Sequence, residues 1–213
     1  MHALIALWFG WVRDWGYAGV VVLMALESTI VPVPSEVVIP PAAYWVAQGH
    51  MSLLGVVLAG TLGSFLGSAA SYWVARGVGR FAVTTYGKRF LLTEEKFERA
   101  ERFLQRYGAG GVFFARLLPV VRHLVSIPAG ILRMGFLKFS VFTIVGSALW
   151  CGVLAWLGAR VSERNPGLMD SPEDMIHAVK HESLSFVGAV VVLAVLYVVT
   201  MRLTARRSVE SPL

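Results

Sequence analysis

Long apolar runs alternate with short charged clusters along this chain, and two of the runs are broken near their centres by proline. Residues 1–15 carry Trp8, Trp11 and Trp15, with Arg13 and Asp14 interrupting the apolar stretch and no basic segment ahead of it. Indole rings favour the headgroup level, so this stretch predicts an interfacial helix and not a cleaved leader. Residues 16–49 are apolar but contain Pro32, Pro34, Pro40 and Pro41. Proline lacks an amide proton and disrupts the preceding turn, which predicts two half-helices meeting at a break near Val31–Ser35, a re-entrant hairpin. Residues 52–75 predict a spanning helix. Ala59, Gly63, Gly67, Ser71, Ala75 and Gly79 recur on it every fourth residue. That spacing lets two helix backbones approach closely in lipid, and packing is the expected role.

From Arg76 to Arg106 the pattern turns polar. Thr93 is placed to cap a helix over 93–107, with Glu94 and Glu95 in its first turn and Phe97, Ala100, Leu104 and Tyr107 on one apolar stripe. Glu95–Arg99 and Glu98–Arg102 are i,i+4 pairs on the other face, so an amphipathic surface helix is expected. Residues 108–135 repeat the earlier theme, with Pro119 and Pro128 interrupting a second re-entrant hairpin, and 136–158 predict a second full span. Residues 161–182 contain the turn Asn165-Pro166-Gly167 and predict an external loop. A C-terminal span over 184–201 leads to a cytoplasmic tail, 202–213. The expected fold is an all-α membrane protein: an inverted repeat of two re-entrant helical hairpins, each followed by a transmembrane helix, plus a C-terminal transmembrane helix.

Composition agrees with lipid as the solvent. The 213 residues are 56% hydrophobic and only 15% charged, with mean hydropathy +0.67, against about 25% charge in soluble domains. The formal net charge of +6 is distributed at the ends of apolar segments, where membrane orientation needs it, so nucleic acid is not an expected partner. Eight basic residues against four acidic ones between 76 and 106 place that segment inside, and the acidic 160–182 loop outside. The first span then runs outward to inward and the second inward to outward. Trp15-Gly16-Tyr17-Ala18-Gly19-Val20 also parallels Tyr107-Gly108-Ala109-Gly110-Gly111-Val112, the signature of an inverted repeat with its site at the midplane. The single cysteine, Cys151, lies in an apolar run, and His177 and His181 have no third ligand at motif spacing. No cofactor or metal is expected.

The informative residues are charges at membrane depth: Glu27 and Glu36 in the first broken segment, Arg116 and Arg122 in the second. Each isolated charge at a helix centre costs about 2.5–3.5 kcal/mol on insertion scales, so four must pair, neutralise or face water. One reading is structural, with the glutamates holding the arginines in buried salt bridges. The other is functional. Arginine is the natural fork for a lipid phosphate, and a carboxylate at such depth can exchange protons with a headgroup's arrival. Pro34, Ser35 and Pro119 at the breaks, and His123 beside Arg122, are accessory candidates.

The segment from Glu27 through Pro32-Val33-Pro34-Ser35-Glu36, the Gly63-x-x-x-Gly67 stripe with Tyr72 and Gly79, and the run Phe114-Ala115-Arg116-Leu117-Leu118-Pro119-Val120-Val121-Arg122 ending in Pro128-Ala129-Gly130 together resemble the DedA family, within the SNARE-associated Golgi protein group. The resemblance covers residues 16–160. It implies two facing re-entrant hairpins with flanking transmembrane helices in the bacterial inner membrane. It also implies flipping or scrambling of polyprenyl phosphate carriers, such as undecaprenyl phosphate, or of phospholipids such as phosphatidylethanolamine, often coupled to protons. The family's acidic residues match Glu27 and Glu36, although the second is commonly aspartate and the spacing can be longer. Its essential arginines match Arg116 and Arg122. A proton-coupled carrier for a small solute or ion remains an alternative, and an intramembrane enzyme such as a lipid phosphatase would need motifs (HExxH, GxSxG) that the sequence lacks.

Overall fold

The computed structural model describes residues 2–29, 35, 38–86, 94–118, 121–164 and 188. These residues are helical, with no strand among them. The helices are α1 (His2–Trp15), α2 (Tyr17–Glu27), α3 (Ile39–Ala47), α4 (Leu53–Tyr86), α5 (Glu94–Arg116), α6 (Val121–Leu124), α7 (Ser126–Ile131) and α8 (Phe136–Arg164). The loop read over 161–182 begins within α8, which runs to Arg164; its remainder, the C-terminal span and the tail fall outside the described residues, apart from residue 188.

Two helices carry stretches long and apolar enough to cross a membrane, Leu53–Gly77 in α4 and Phe136–Ser162 in α8. At 1.5 Å per residue, 25 residues extend about 37 Å, more than the roughly 30 Å hydrocarbon core. These stretches agree with the spans expected over 52–75 and 136–158. The helices that carry them run on, to Tyr86 and to Arg164. The change to polar sequence after Arg76 ends the apolar run but brings no proline, so the i→i−4 ladder has no reason to stop there.

The prolines divide into two classes. The first apolar segment is broken after Glu27, and α3 resumes at Ile39 with Pro40 and Pro41 in its first turn, where no intrahelical amide is needed. Pro128 corrects the expectation that it interrupts the second segment. It lies in the first turn of α7, and Ala129 N–H still reaches the Val125 carbonyl at 3.3 Å across it. The second segment instead breaks between Arg116 and Val121.

Two glycines in parallel sequence contexts turn the chain the same way. Gly16 (φ 55, ψ −128) separates α1 from α2, and Gly108 (φ 54, ψ −135) splits α5 into a charged part before it and an apolar part after it. Side chains other than glycine's are strained there. The charged part bears the Glu98–Arg102 ion pair at 3.3 Å, and buries Leu104 and Tyr107. The second half-helices end alike as well. Gln48, Gly49 and His50 donate to Tyr44, Val46 and Trp45, while Leu132, Arg133 and Met134 donate to Pro128, Gly130 and Ala129. The left-handed residue is Gly49 (φ 77) in one and Arg133 (φ 52) in the other.

Each long helix holds pieces of both broken segments. On α4, a Cβ added at Gly63 would strike the Val21 carbonyl and one at Gly67 the Ala25 carbonyl, so α2 lies backbone to backbone against the small-residue stripe. Further along α4, the Tyr72 carbonyl meets Gly130 of α7 in the same way. On α8, Gly158 receives Pro40 and Ala43 of α3, and Gly146 receives Arg116 at the end of α5. The stripe therefore packs helices, as its spacing indicated. Two apolar clusters flank these contacts, one around Leu23, Ile39, Trp150 and Leu154, the other around Tyr72, Val112, Val125 and Phe139.

Candidate functional site

Residues flanking the interruptions of the two apolar segments meet beside α8. Glu27 is the last residue of α2, where a carboxylate opposes the helix dipole. Arg122, in the one-turn α6, forms an ion pair with it. The adjacent His123 binds the backbone of the same residue, its Nδ1 3.0 Å from the Glu27 carbonyl oxygen. A carbonyl only accepts, so that nitrogen carries the proton. Two consecutive side chains of one broken segment thus grip one residue of the other, by its carboxylate and by its backbone.

Arg116 ends α5, where a cation suits the helix dipole. Its Nη2 donates to Ser126 Oγ at 2.7 Å, and its guanidinium carbon lies 5.9 Å from the Phe139 ring centroid. Among the described residues it has no carboxylate partner, and its Nε has no hydrogen-bond partner. Glu27, Arg116 and Arg122 are 1%, 2% and 7% exposed, so all three charges point into the protein and not toward lipid. Burial at this depth makes the Glu27–Arg122 attraction strong and an unmatched guanidinium expensive.

The floor of the site comes from residues that sequence reasoning missed. Trp150 of α8 stacks beneath Arg122, ring centroid 5.4 Å from the guanidinium carbon, and its Nε1–H donates to Ser35 Oγ at 3.1 Å. It joins the first break to the second. Beside it runs a chain of buried hydroxyls: Ser28 to Ser64 at 3.0 Å, and Ser64 to Ser147 at 3.1 Å. Ser71 of the small-residue stripe donates to the Ser28 carbonyl at 3.3 Å. Trp150 and Ser147 sit in an apolar run with no motif around them, and Ser64 is an unmarked position inside Gly63-x-x-x-Gly67; only the buried side of each span distinguishes them. At the far end of the site, Tyr72 donates to the Met134 carbonyl and accepts from Arg76 Nη1 at 2.8 Å.

Of the residues singled out from sequence, Glu27, Arg122, His123 and Ser35 are brought together directly or through Trp150, and Arg116 lies in the same broken segment as Arg122. Glu36, Pro34 and Pro119 lie outside the described residues. The structural reading had both arginines held by carboxylates. The described residues give that pairing to Arg122 and give Arg116 a serine.

Comparison with known proteins fixes the family. Residues 33–160 match the VTT domain. The chain belongs to the VTT domain family. This is the DedA-type group whose motifs it carries. The undecaprenyl phosphate transporter A of Bacillus subtilis is 35% identical over 202 residues, covering 95% of this chain and 97% of that one. The membrane protein YkoX of the same organism is 34% identical over 163 residues, covering 76% and 72%. An alkaline phosphatase-like protein of Lactococcus lactis subsp. cremoris is 29% identical over 208 residues, covering 94% of each chain. No solved structure matches. The VTT match takes in both apolar spans and Arg116, Arg122, His123 and Trp150, while Glu27 and Ser28 precede it.

Proposed function

We propose that this VTT family protein moves a phosphate-bearing lipid, foremost a polyprenyl phosphate carrier such as undecaprenyl phosphate, across the bacterial inner membrane. The observation that carries the reading is an intramembrane ion pair, Glu27–Arg122, joining two proline-broken segments beside a second buried guanidinium with no carboxylate partner among the described residues. A scaffold has no use for such charges, and buried pairs are poor stabilisers. The transporter name of the Bacillus relative agrees with a phosphate ligand for arginine forks.

In this reading the two broken segments are re-entrant hairpins that enter from opposite faces and form an inverted repeat over 16–49 with 52–75 and 108–135 with 136–158. The matching glycine kinks, the matching caps and the reciprocal packing on α4 and α8 support it. Residues 1–15 lie at the interface, and residues 184–201 supply a further span. Glu27 and Glu36 exchange protons as the headgroup takes over their arginines, which couples movement to the proton gradient. Phosphatidylethanolamine is the next substrate to test.

Purified protein in proteoliposomes, with labelled undecaprenyl phosphate and phosphatidylethanolamine and with or without a pH gradient, tests the reading. Transbilayer movement of the polyprenyl phosphate is expected, reduced at least tenfold in Arg116→Ala and Glu36→Ala, which corresponds to about 1.4 kcal/mol of lost stabilisation. Wild-type rates in normally inserted variants sink it. The name of the Lactococcus relative makes inorganic phosphate release a necessary parallel measurement. Hydrolysis without lipid movement would replace transport by phosphatase activity.

A further inference from the structure

Arg116 follows a traceable course across α8. Its Cβ sits against Gly146, 2.7 Å from where a Cβ there would stand, and its guanidinium carbon lies over the Phe139 ring. Positions 139, 143 and 146 are spaced i, i+4, i+7 and share one helix face. By this spacing Thr143 lies between the two contacts on the face that Arg116 crosses.

Thr143 is fully buried, and its hydroxyl has no hydrogen-bond partner. That is unusual within this molecule. Buried helical hydroxyls ordinarily turn back to the carbonyl four residues earlier. Thr61, Ser68 and Ser162 do so, at 2.7, 2.6 and 2.8 Å. Ser140 of α8 is also unpartnered, but it shares its stripe with Phe136 and Ser147, which touch α4. Thr143 falls on the face of α8 that Arg116 contacts at Phe139 and Gly146, and the Arg116 Nε–H is likewise unpartnered while Nη2 is anchored on Ser126. Two buried donors on one helix contact face, neither with a hydrogen-bond partner among the described residues, suit an acceptor from outside the protein.

We propose that Arg116 Nε and Thr143 Oγ form the resting seat for the phosphate group of the transported molecule, while Arg122 is withheld in its ion pair with Glu27. The two arginines then act in succession. Arg116 receives the phosphate, and Arg122 joins it when Glu27 lets go. Ser126 is a positioning residue that fixes the guanidinium plane. The proposal rests on the phosphate-transport reading and adds to it a residue that no motif marks.

The test uses full-length protein in detergent and two probes, farnesyl monophosphate and inorganic phosphate, measured by titration calorimetry. Thr143→Val removes the hydroxyl at nearly constant volume, and Thr143→Ala removes it by a second route should the valine variant fold poorly. Affinity for farnesyl monophosphate is expected to fall roughly tenfold or more in either, as for loss of a bond to a charged group, with Thr143→Ser close to wild type. Unchanged affinity in folded valine and alanine variants overturns the seat and leaves the transport reading standing. A wild-type protein that binds neither probe and moves no polyprenyl phosphate overturns both. Tighter binding of the farnesyl ester than of inorganic phosphate assigns the seat to a lipid headgroup. Equal binding of the two assigns it to free phosphate and overturns the lipid assignment.

Discussion

At the scale of single residues, the chemistry is concentrated in a few polar groups whose partners lie on other elements. Glu27 is held at its carboxylate by Arg122 and at its backbone by His123, while Trp150 supports Arg122 from below. Removing one member of a buried pair leaves the other charged and desolvated, which is worse than never having had the pair. Glu27→Ala is therefore expected to lose about 3–5 kcal/mol of stability, read as detergent-phase unfolding of the purified protein. The Glu27→Ala, Arg122→Met double variant should recover much of that loss, because no orphan charge remains. Additive losses in the double variant would show that the two side chains do not depend on each other. Arg116 differs in kind. Its serine partner satisfies one nitrogen and leaves its charge uncompensated among the described residues, which is a ligand's opportunity and not a stabilising contact.

At the scale of elements, close backbone approach decides the architecture. The α2–α4 contact depends on Gly63 and Gly67, where even one methyl group would meet the Val21 or Ala25 carbonyl. Without a hydrophobic drive between helices in lipid, such contact depends on fit. Gly67→Val should push α2 off α4 and destabilise by about 1–3 kcal/mol, with the loss seen in thermal unfolding, whereas a valine at Gly152, whose Cβ position is open, should be neutral. The kinks behave differently, since Gly108 has open space around it but a backbone conformation closed to other residues. Gly108→Ala is expected to cost about 1–3 kcal/mol through strain alone, and Gly16→Ala the same. Stability unchanged by either alanine would mean that the turn relaxes and is no fixed part of the repeat.

At the scale of the whole molecule, the inverted-repeat reading makes a prediction about sides. The cap of the first half-helix pair and the cap of the second should lie on opposite faces of the membrane, although they are built alike. Single cysteines at His50 and Arg133, both exposed, can be labelled in oriented cells with an impermeant maleimide. The native Cys151 is fully buried and should give little background. His50→Cys is expected to label from outside and Arg133→Cys only after permeabilisation. Labelling of both from the same side would refute opposite entry of the hairpins.

Much of this was legible along the chain. The apolar runs, an interruption of the first apolar segment between Glu27 and Ile39, a helix before Gly108 and the packing role of the small stripe all follow from local rules: spacing, missing amides and propensity. So did the charged candidates, because a charge in an apolar run stands out wherever it ends up. The expected break near Val31–Ser35 lies, apart from Ser35, outside the described residues. The apolar spans agree with their expected bounds, but the helix ends at Tyr86 and Arg164 and the helical placement of Pro128 do not follow from the pattern: a change of polarity does not stop a backbone ladder, and a proline in a first turn does not break one. By itself, then, the sequence determined an all-helical chain with two membrane-length apolar helices, two broken segments and buried charges that needed partners. Only the tertiary structure decided the partners. It gave Glu27 to Arg122, a serine to Arg116, and a tryptophan and a run of plain hydroxyls to the floor. Pairing across distant positions depends on how helices lie against one another, and a serine or threonine in an apolar run carries no local sign of which face will be buried.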